Sequence, residues 1–308
     1  MRVLRGPWLD WPRVEGRSAV TIGVLDGVHM GHRALLSRLD PTMAPTVLTF
    51  EPHPVEVLRP GTPPRLITTI EERVELLEAA GVERVGVLDL AGIKELAPEE
   101  FVRGVLVDRL DTGHLVVGDD FRFGRDRSGD VELLAALGAR LGFDVEVIEL
   151  IDELGETVSS SRIRRLIEAG DVSSAAQLLG APFRITNMVV DGDKRGRDIG
   201  FPTANLRPPE RKVIPATGIY ACFVLVGDRR HDAAVSVGVR PTFGGGELLI
   251  EAFILDFDGD IYGEQITVEF VEYTRPELAF DGVDELVDQM SDDVSRVRAI
   301  LEKARSRI

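Results

Sequence analysis

The feature that most constrains the fold of this chain is a change of hydrophobic pattern near residue 180. Before that point, short apolar runs alternate with amphipathic segments, a pattern that predicts β-strands separated by α-helices. After Gly180, strand-like runs follow one another with only turns between them. Because 308 residues are also too many for one typical core, we predict two domains, residues 1–181 and 182–308.

The first half has the pattern of a doubly wound domain. Strands are predicted at 19–24, 46–50, 84–88, 114–117 and 144–148, and helices at 32–39, 71–80, 98–110, 131–141, 161–168 and 172–179. Strands that alternate with helices form a parallel sheet through right-handed crossovers, with helices on both faces. We therefore expect a Rossmann-like α/β domain.

The second half has the pattern of an antiparallel β-barrel. Strands are predicted at 184–190, 219–226, 232–239, 248–255 and 265–272, and a terminal helix at 283–303. Since only turns separate the strands, neighbouring strands should pair antiparallel and close into a barrel. The terminal helix carries apolar residues at helical spacing, which predicts that it packs on the barrel.

The composition excludes several classes of function. Hydrophobic residues at 44% and charged residues at 29% are typical of a soluble globular protein. No apolar run approaches the roughly 20 residues that cross a bilayer, and the first residues have no signal-peptide core. A net charge of −16 disfavours nucleic-acid binding, and a single cysteine excludes an internal disulfide. We expect a cytoplasmic protein with neither membrane nor nucleic acid as a partner.

A first candidate site lies where the first predicted strand leads into the first predicted helix. In a doubly wound sheet, ligands bind at the carboxyl ends of strands, and a helix N-terminus there attracts phosphate. Gly27 and Gly31 allow close approach of the backbone, and His29 and His32 can donate hydrogen bonds to phosphate oxygens. A single histidine here would be interpreted as an ordinary surface residue, but two of the chain's five histidines favour a site.

Three further segments belong to the same predicted domain. Ser160 can cap a helix whose first turn carries Arg164, although a capped helix with exposed arginines is the simpler interpretation. The segments at 50–54 and 118–124 follow predicted strands, so both should lie at the sheet edge that carries the histidines. Phe123 can stack on a flat ring, although a proline turn and a packed aromatic loop are reasonable alternatives for these segments.

The second half contains a loop rich in glycine and basic residues. It suits the wrapping of a polyphosphate, although it lacks Walker A spacing and a flexible basic hairpin is the alternative. Its candidate residues are Gly192, Lys194, Gly196 and Arg197. Thr203 and Asn205 follow, with oxygen atoms able to bind magnesium. Glu251, on a predicted strand, is the candidate base for a kinase, with an exposed strand carboxylate as the alternative.

These motifs resemble known families. The His-x-Gly-His turn and the Ser-Ser-Arg helix resemble the two ATP-binding motifs of the nucleotidyltransferase superfamily. With the segments at 50–54 and 118–124, they resemble the N-terminal module of bacterial bifunctional riboflavin kinase/FAD synthetases. The loop ending in Pro-Thr-Ala-Asn and the segments at 237–243 and 251–263 resemble the riboflavin kinase module. The resemblance covers the chain from about residue 19 to 298.

The resemblance implies a Rossmann-like nucleotidyltransferase domain and a riboflavin kinase-like barrel. The barrel would phosphorylate riboflavin to FMN with Mg-ATP, and the first domain would transfer AMP from ATP to FMN, giving FAD and pyrophosphate. Riboflavin, FMN and ATP are then the partners, Mg²⁺ is the cofactor, and FMN and FAD are the products. We expect a monomer or a weak homo-oligomer.

The resemblance also implies roles for individual residues. At the adenylyltransferase site, ATP would be bound by Gly23, Asp26, His29, His32, Asp120, Ser160 and Arg164, and the flavin by Phe50, Pro52 and Phe123. His29 and His32 would stabilise charge on the phosphates. At the kinase site, ATP would be bound by Gly192, Lys194, Gly196, Arg197, Thr203 and Asn205, with magnesium on the last two. Glu251 would activate the ribityl 5′-hydroxyl.

Three positions depart from the family pattern. Leu25 stands where phenylalanine is common, Asp120 where many relatives have asparagine, and Asn187 where glycine is usual. Leucine still fills apolar space, and asparagine tolerates positive φ better than most residues. Two alternatives therefore stay open: a monofunctional kinase with a degenerate adenylyltransferase half, and a flavin-binding protein without catalysis.

Overall fold

A computed structural model describes residues 1–59, 61–149, 158–190, 200–242 and 245–306. Within this part of the chain, the contacts divide the molecule into two compact units, Met1–Ser160 and Ser161–Ile308. No helix in the described ranges has the length and apolar character needed to cross a membrane.

The first unit is built on a six-stranded parallel sheet. Its strands are β1 (Arg2–Leu4), β2 (Ser18–Ile22), β3 (Ala44–Phe50), β4 (Arg84–Leu88), β5 (Thr112–Gly118) and β6 (Asp144–Ile148), in the order β1-β4-β3-β2-β5-β6. The helices are α1 (Met30–Ser37), α2 (Pro54–Leu58), α3 (Ile70–Ala79), α4 (Pro98–Phe101) and α5 (Val131–Leu141). This confirms the predicted doubly wound fold.

Both faces of this sheet are buried. On one face, Val20 and Val117 join a large apolar cluster, whereas on the other face Val47 and Val85 pack against residues from α3. Central β2 pairs with β3 on one side and with β5 on the other. Since the chain runs outward in one direction from β2 to β4 and returns on the other side at β5, the crevice between the ends of β2 and β5 is the topological switch point.

The second unit contains a closed antiparallel barrel. Its strands are β7 (Phe183–Val190), β8 (Ala204–Leu206), β9 (Gly218–Val226), β10 (Arg229–Thr242), β11 (Gly245–Ile254) and β12 (Gln265–Arg275), in the order β10-β11-β8-β7-β12-β9. The helices are α6 (Ser160–Glu168), α7 (Val172–Leu179) and α8 (Val283–Arg305). The barrel and its terminal helix are confirmed. α7 packs on β7 and β12, and the structural division falls after Ser160, the first residue of α6. The domain boundary at residue 181 stays a prediction.

Some predicted elements were wrong in detail. β1 and β8 were missed because each has three residues, too few to show a periodic pattern. The helix predicted at 98–110 starts as α4 and continues as a π-helix over Val102–Arg109. Asn187 does not have a positive φ but lies in regular β7, where its side-chain amide donates to Arg207 O at 2.7 Å.

The terminal helix α8 is fixed to the barrel by apolar and ionic contacts. Val297 and Leu301 are buried against Phe223. Arg275 on β12 donates two hydrogen bonds to Asp293 on α8, at 2.8 and 2.5 Å. Because both side chains are largely buried, at 15% and 9% exposed, this ion pair is shielded from water.

We expect Asp293→Asn to lower the free energy of unfolding of the barrel unit by about 1–3 kcal/mol, because it leaves the Arg275 charge without its counter-ion. Urea unfolding of the full chain measures this change. Asp288→Asn, at an exposed position of the same helix, is the matched control and should change stability by less than about 0.5 kcal/mol. Equal effects of the two substitutions would show that the ion pair adds nothing.

Candidate active sites

The turn between β2 and α1 is held by a buried carboxylate. Asp26 is 1% exposed and accepts hydrogen bonds from Ile67 N at 3.0 Å, Thr68 N at 2.9 Å and Thr68 Oγ1 at 3.0 Å. Leu25 and Val28 are buried with positive φ values of 51° and 42°, a conformation that is strained for apolar side chains. The Asp26 carboxylate therefore fixes the turn, whereas we predicted that it binds ATP.

His29 and His32 lie together at the start of α1. His29 is the N-cap residue of the helix, and its Nδ1 accepts a hydrogen bond from His32 N at 3.4 Å. The two rings stack with centroids 3.5 Å apart. Because an Nδ1 that accepts a hydrogen bond carries no proton, a neutral His29 has its proton on Nε2. The N-terminus of α1 thus brings backbone N–H groups and two imidazoles to one place.

The charge state of His32 is set by its surroundings. Burial lowers the pKa of His32 well below its ordinary value, and the nearby His29 and Arg73 lower it further. Its Nδ1 is buried, and no hydrogen-bond partner for it lies in the described part of the chain. His32 is therefore a neutral imidazole at neutral pH, and it has unused hydrogen-bonding capacity.

Arg73 is a buried cation next to this turn that sequence reasoning missed. It lies on α3, is 2% exposed, and its Nη1 donates to Thr49 Oγ1 at 3.1 Å and to Phe50 O at 3.4 Å. The signal in the sequence was its position: it falls between Ile70 and Leu77 on the apolar stripe of an amphipathic helix, where a charged side chain must point inward.

The predicted flavin-side residues lie at the carboxyl edge of the same sheet. Phe50 is half-buried at the end of β3 and Pro52 is exposed beyond it, whereas Asp120, which was predicted to bind ATP, is exposed after β5. Phe123 is only 7% exposed, and its ring packs against Phe101 and stacks on Phe121 at 5.6 Å.

The ring of Phe123 is part of the core, so its faces are not accessible for the stacking on a flavin that we predicted. Phe121, its stacking partner, is half-buried and is the accessible aromatic side chain of the loop. Alternation of aromatic residues in Phe-Arg-Phe was visible in the sequence, but which of the two rings turns outward was not.

Ser160 is brought to the histidine turn, although it lies far along the chain. Its Oγ donates to the carbonyl of Asp26 at 3.0 Å. Gly23, the first residue after β2, donates its N–H to Leu48 O at 3.0 Å. Arg164 lies on α6 in the second compact unit, where its Nη1 donates to Ser161 Oγ at 3.4 Å. Its role stays a prediction.

The kinase candidates meet on the barrel. Glu251 on β11 is the direct register partner of Asn205 on β8 and of Ser236 on β10, so the three side chains share one face. Asn205 is 3% exposed, and its Oδ1 is buried with no hydrogen-bond partner among the described residues. Thr203 immediately precedes β8 and is half-buried. The structure thus juxtaposes predicted residues that are remote in sequence.

A pocket opens beside Thr203. Its walls include apolar side chains from β7, β11 and the loop that follows β11: Val189, Ala252, Ile254, Phe257 and Ile261. The predicted phosphate-loop residues Gly192, Lys194, Gly196 and Arg197 lie outside the described residues. Asp258 and Asp260 also line the pocket, so its walls are both apolar and acidic. The pocket was not predicted, because its walls come from separate elements.

Comparisons with known proteins match both halves of the chain. A family model for FAD synthetase matches residues 12–162, and one for riboflavin kinase matches residues 179–301. A protein of Pseudomonas fluorescens named bifunctional riboflavin kinase/FMN adenylyltransferase is 38% identical, covering 97% of this chain and 98% of its own length. The protein of the same name from Escherichia coli K12 is 38% identical, covering 95% and 96%.

A solved structure is also similar over nearly the whole length. A crystal structure described as a macrolide-efflux protein from Streptococcus pneumoniae has a TM-score of 0.89 and 33% identity, covering 97% of this chain and 99% of that chain. Both compact units therefore have counterparts in one solved chain.

Proposed function

This chain belongs to the bifunctional riboflavin kinase/FMN adenylyltransferase family, and we propose here which of its residues carry the two reactions. It phosphorylates riboflavin to FMN and adenylylates FMN to FAD, with ATP as the co-substrate of both steps. The alternatives of a monofunctional kinase and of a non-catalytic flavin-binding protein are not favoured, since both family models match and the relatives are named for both activities.

For adenylylation, the observation that carries the proposal is the pair of stacked imidazoles at the N-terminus of α1. An FMN phosphate oxygen attacks the α-phosphorus of ATP, and the bond to the β-phosphate oxygen breaks to release pyrophosphate. Charge then accumulates on the leaving oxygens. Backbone N–H groups of α1, with His29 and His32, would stabilise that charge without covalent participation.

The other residues predicted for the adenylyltransferase site have supporting roles in this proposal. Gly23 allows the nucleotide close to the end of β2, and Asp120 and Ser160 offer polar groups at the same edge of the sheet. Arg164 is proposed as a phosphate ligand on the resemblance of its motif alone. Asp26 supports the turn through Ile67 and Thr68, so we propose a structural role for it.

The flavin would contact Phe50, Pro52 and the outer ring of the aromatic pair. We expect Phe121→Ala to raise the KM for FMN about 3- to 10-fold, because one stacking contact contributes about 0.5–1.5 kcal/mol. Phe123→Ala should instead lower stability by about 3–5 kcal/mol by opening a cavity in the core. Steady-state kinetics and thermal unfolding separate the two effects. An unchanged KM in Phe121→Ala would contradict the assignment.

For phosphorylation, the register pairing of Glu251 with Asn205 carries the proposal. Glu251 accepts the proton of the ribityl 5′-hydroxyl as that oxygen attacks the γ-phosphorus of ATP, and the bond from this phosphorus to the β–γ bridging oxygen breaks to release ADP. The buried Oδ1 of Asn205, which has no hydrogen-bond partner in the described ranges, and the hydroxyl of Thr203 are oxygen donors of the kind that Mg²⁺ prefers. When bound there, Mg²⁺ would neutralise phosphate charge. The pocket beside Thr203, whose walls combine apolar side chains with Asp258 and Asp260, suits the base of ATP.

The remaining proposals rest on the sequence. We propose a cytoplasmic enzyme that acts as a monomer or a weak homo-oligomer and does not bind nucleic acid. We also propose that the functional boundary between the two activities lies near residue 181, where the strand pattern of the barrel begins.

The experiment that tests the proposal is a chromatographic time course with riboflavin, ATP and magnesium. FMN should appear first and FAD after it. Accumulation of FMN without FAD would contradict the assignment of the first unit, and failure to consume ATP would contradict both assignments.

A further inference from the structure

We propose that Arg73 is a positioning residue of the adenylyltransferase site, which locks the turn that carries His29 to the end of β3. This inference rests on the function proposed above, because it assigns ATP to that turn and the flavin to the segment after β3. Arg73 would thereby hold the two substrates in the alignment needed for in-line attack.

The contacts of Arg73 reach both sides of the site. Its Nη1 donates to Thr49 Oγ1 at 3.1 Å and to Phe50 O at 3.4 Å, both at the carboxyl end of β3. On the other side, its Nη2 lies 3.8 Å from Asp26 Oδ1, and its Nε donates to Thr68 Oγ1 at 3.5 Å. One guanidinium therefore joins the ATP-side turn to the flavin-side strand.

The hydroxyls of Thr49 and Thr68 extend these contacts to the backbone of the turn. Thr49 Oγ1 donates in turn to Val24 O at 2.8 Å, at the beginning of the turn. Thr68 Oγ1 accepts from Gly27 N at 3.1 Å, just before the N-cap of α1. The turn is thus held at both of its ends by hydroxyls that contact Arg73. His29 follows it directly, so its position depends on this network.

The geometry of these contacts suits an arginine. The side chains of Arg73 and Asp26 are 3% and 1% exposed, so each contact is made in a water-poor environment where geometry decides its strength. A planar guanidinium presents five N–H donors in a fixed fork, whereas an ammonium presents a single charged centre on a flexible stem. Lysine at 73 would keep the charge and lose the simultaneous contacts.

A positioning role differs from mere packing in its kinetic signature. If Arg73 aligns the substrates, Arg73→Lys should lower kcat for FMN adenylylation about 10- to 100-fold and change the KM for ATP less than about 3-fold. Thr49→Val, which removes the hydroxyl in nearly the same volume, should lower the same kcat about 10-fold.

The matched control is Arg84→Lys. Arg84 is a half-buried arginine of the same unit, and it donates to Ser18 Oγ at 2.9 Å and to Glu15 O at 2.5 Å at the opposite edge of the sheet. This substitution should leave kcat for adenylylation unchanged at a comparable loss of thermal stability. Riboflavin kinase activity is assayed on the same full-length chain. It shows whether the barrel is folded and active in every variant.

The results distinguish a failure of the proposed function from a failure of the positioning role of Arg73. If the wild-type chain makes no FAD from FMN and ATP, the proposed function fails. If it makes FAD, but Arg73→Lys and Thr49→Val lose no more kcat than Arg84→Lys, only the positioning role is overturned. If Arg73→Lys does not fold, Thr49→Val alone is compared with Arg84→Lys. An equal loss of kcat in these two variants overturns the positioning role.

Discussion

Replacing His29 with asparagine is expected to lower the rate of FMN adenylylation about 10²–10³-fold, while riboflavin is still phosphorylated at the wild-type rate. The reason is that the His29 side chain has two separate roles. His29 contributes an imidazole at the N-terminus of α1 and also caps that helix through Nδ1. Asparagine is among the best N-cap residues, so this substitution removes the imidazole and retains the cap.

Two further substitutions separate the effect of His29 on catalysis from its effect on folding. His29→Ala should show the same loss of adenylylation together with a loss of about 1 kcal/mol of stability, because it removes the cap as well. His114→Gln is the matched control: His114 lies in the same unit and accepts from Asp40 N at 3.2 Å, away from the turn. Production of FAD by His29→Asn at the wild-type rate would exclude the proposed role of the pair.

Glu251→Gln is expected to have the opposite effect on the two activities. Phosphorylation of riboflavin should fall about 10²–10⁴-fold, because glutamine cannot accept the proton of the attacking hydroxyl. FMN supplied directly should still be converted to FAD at the wild-type rate. Separate assays that start from riboflavin and from FMN measure the two steps on one preparation.

The controls for this variant come from the same barrel. Glu269→Gln removes a strand carboxylate that pairs with Arg230 at 2.8 Å, and it should leave kinase activity unchanged. Glutamine at 251 preserves the volume of the side chain, so the register of β11 with β8 should persist. A kinase rate near that of the wild type would mean that another group takes the proton.

The sequence predicted the architecture because both halves have clear periodicity. The strands Arg84–Leu88 and Asp144–Ile148 and the helices Val131–Leu141 and Val172–Leu179 begin and end where we predicted. In the barrel, Glu251 and Asn205 were chosen separately, on motifs, and their pairing across two strands appears only in the structure.

What could not be predicted depends on contacts between distant segments. The donors to Asp26 at Ile67 and Thr68 are 41 and 42 residues away, and two of them are backbone N–H groups, which leave no trace in the sequence. For Phe123, the sequence showed an aromatic loop but not which ring lies in the core. Arg73 was detectable from its position on α3, but its partners were not.

The presence of two compact units on one polypeptide has a consequence for the cell. Translation supplies the kinase and the adenylyltransferase in a fixed one-to-one ratio, and degradation of the chain removes both together. The amount of this kinase therefore cannot be changed independently of the amount of this adenylyltransferase. A change in the ratio of the two activities of this chain requires a change in the turnover of one site, which amino-acid substitutions can bring about.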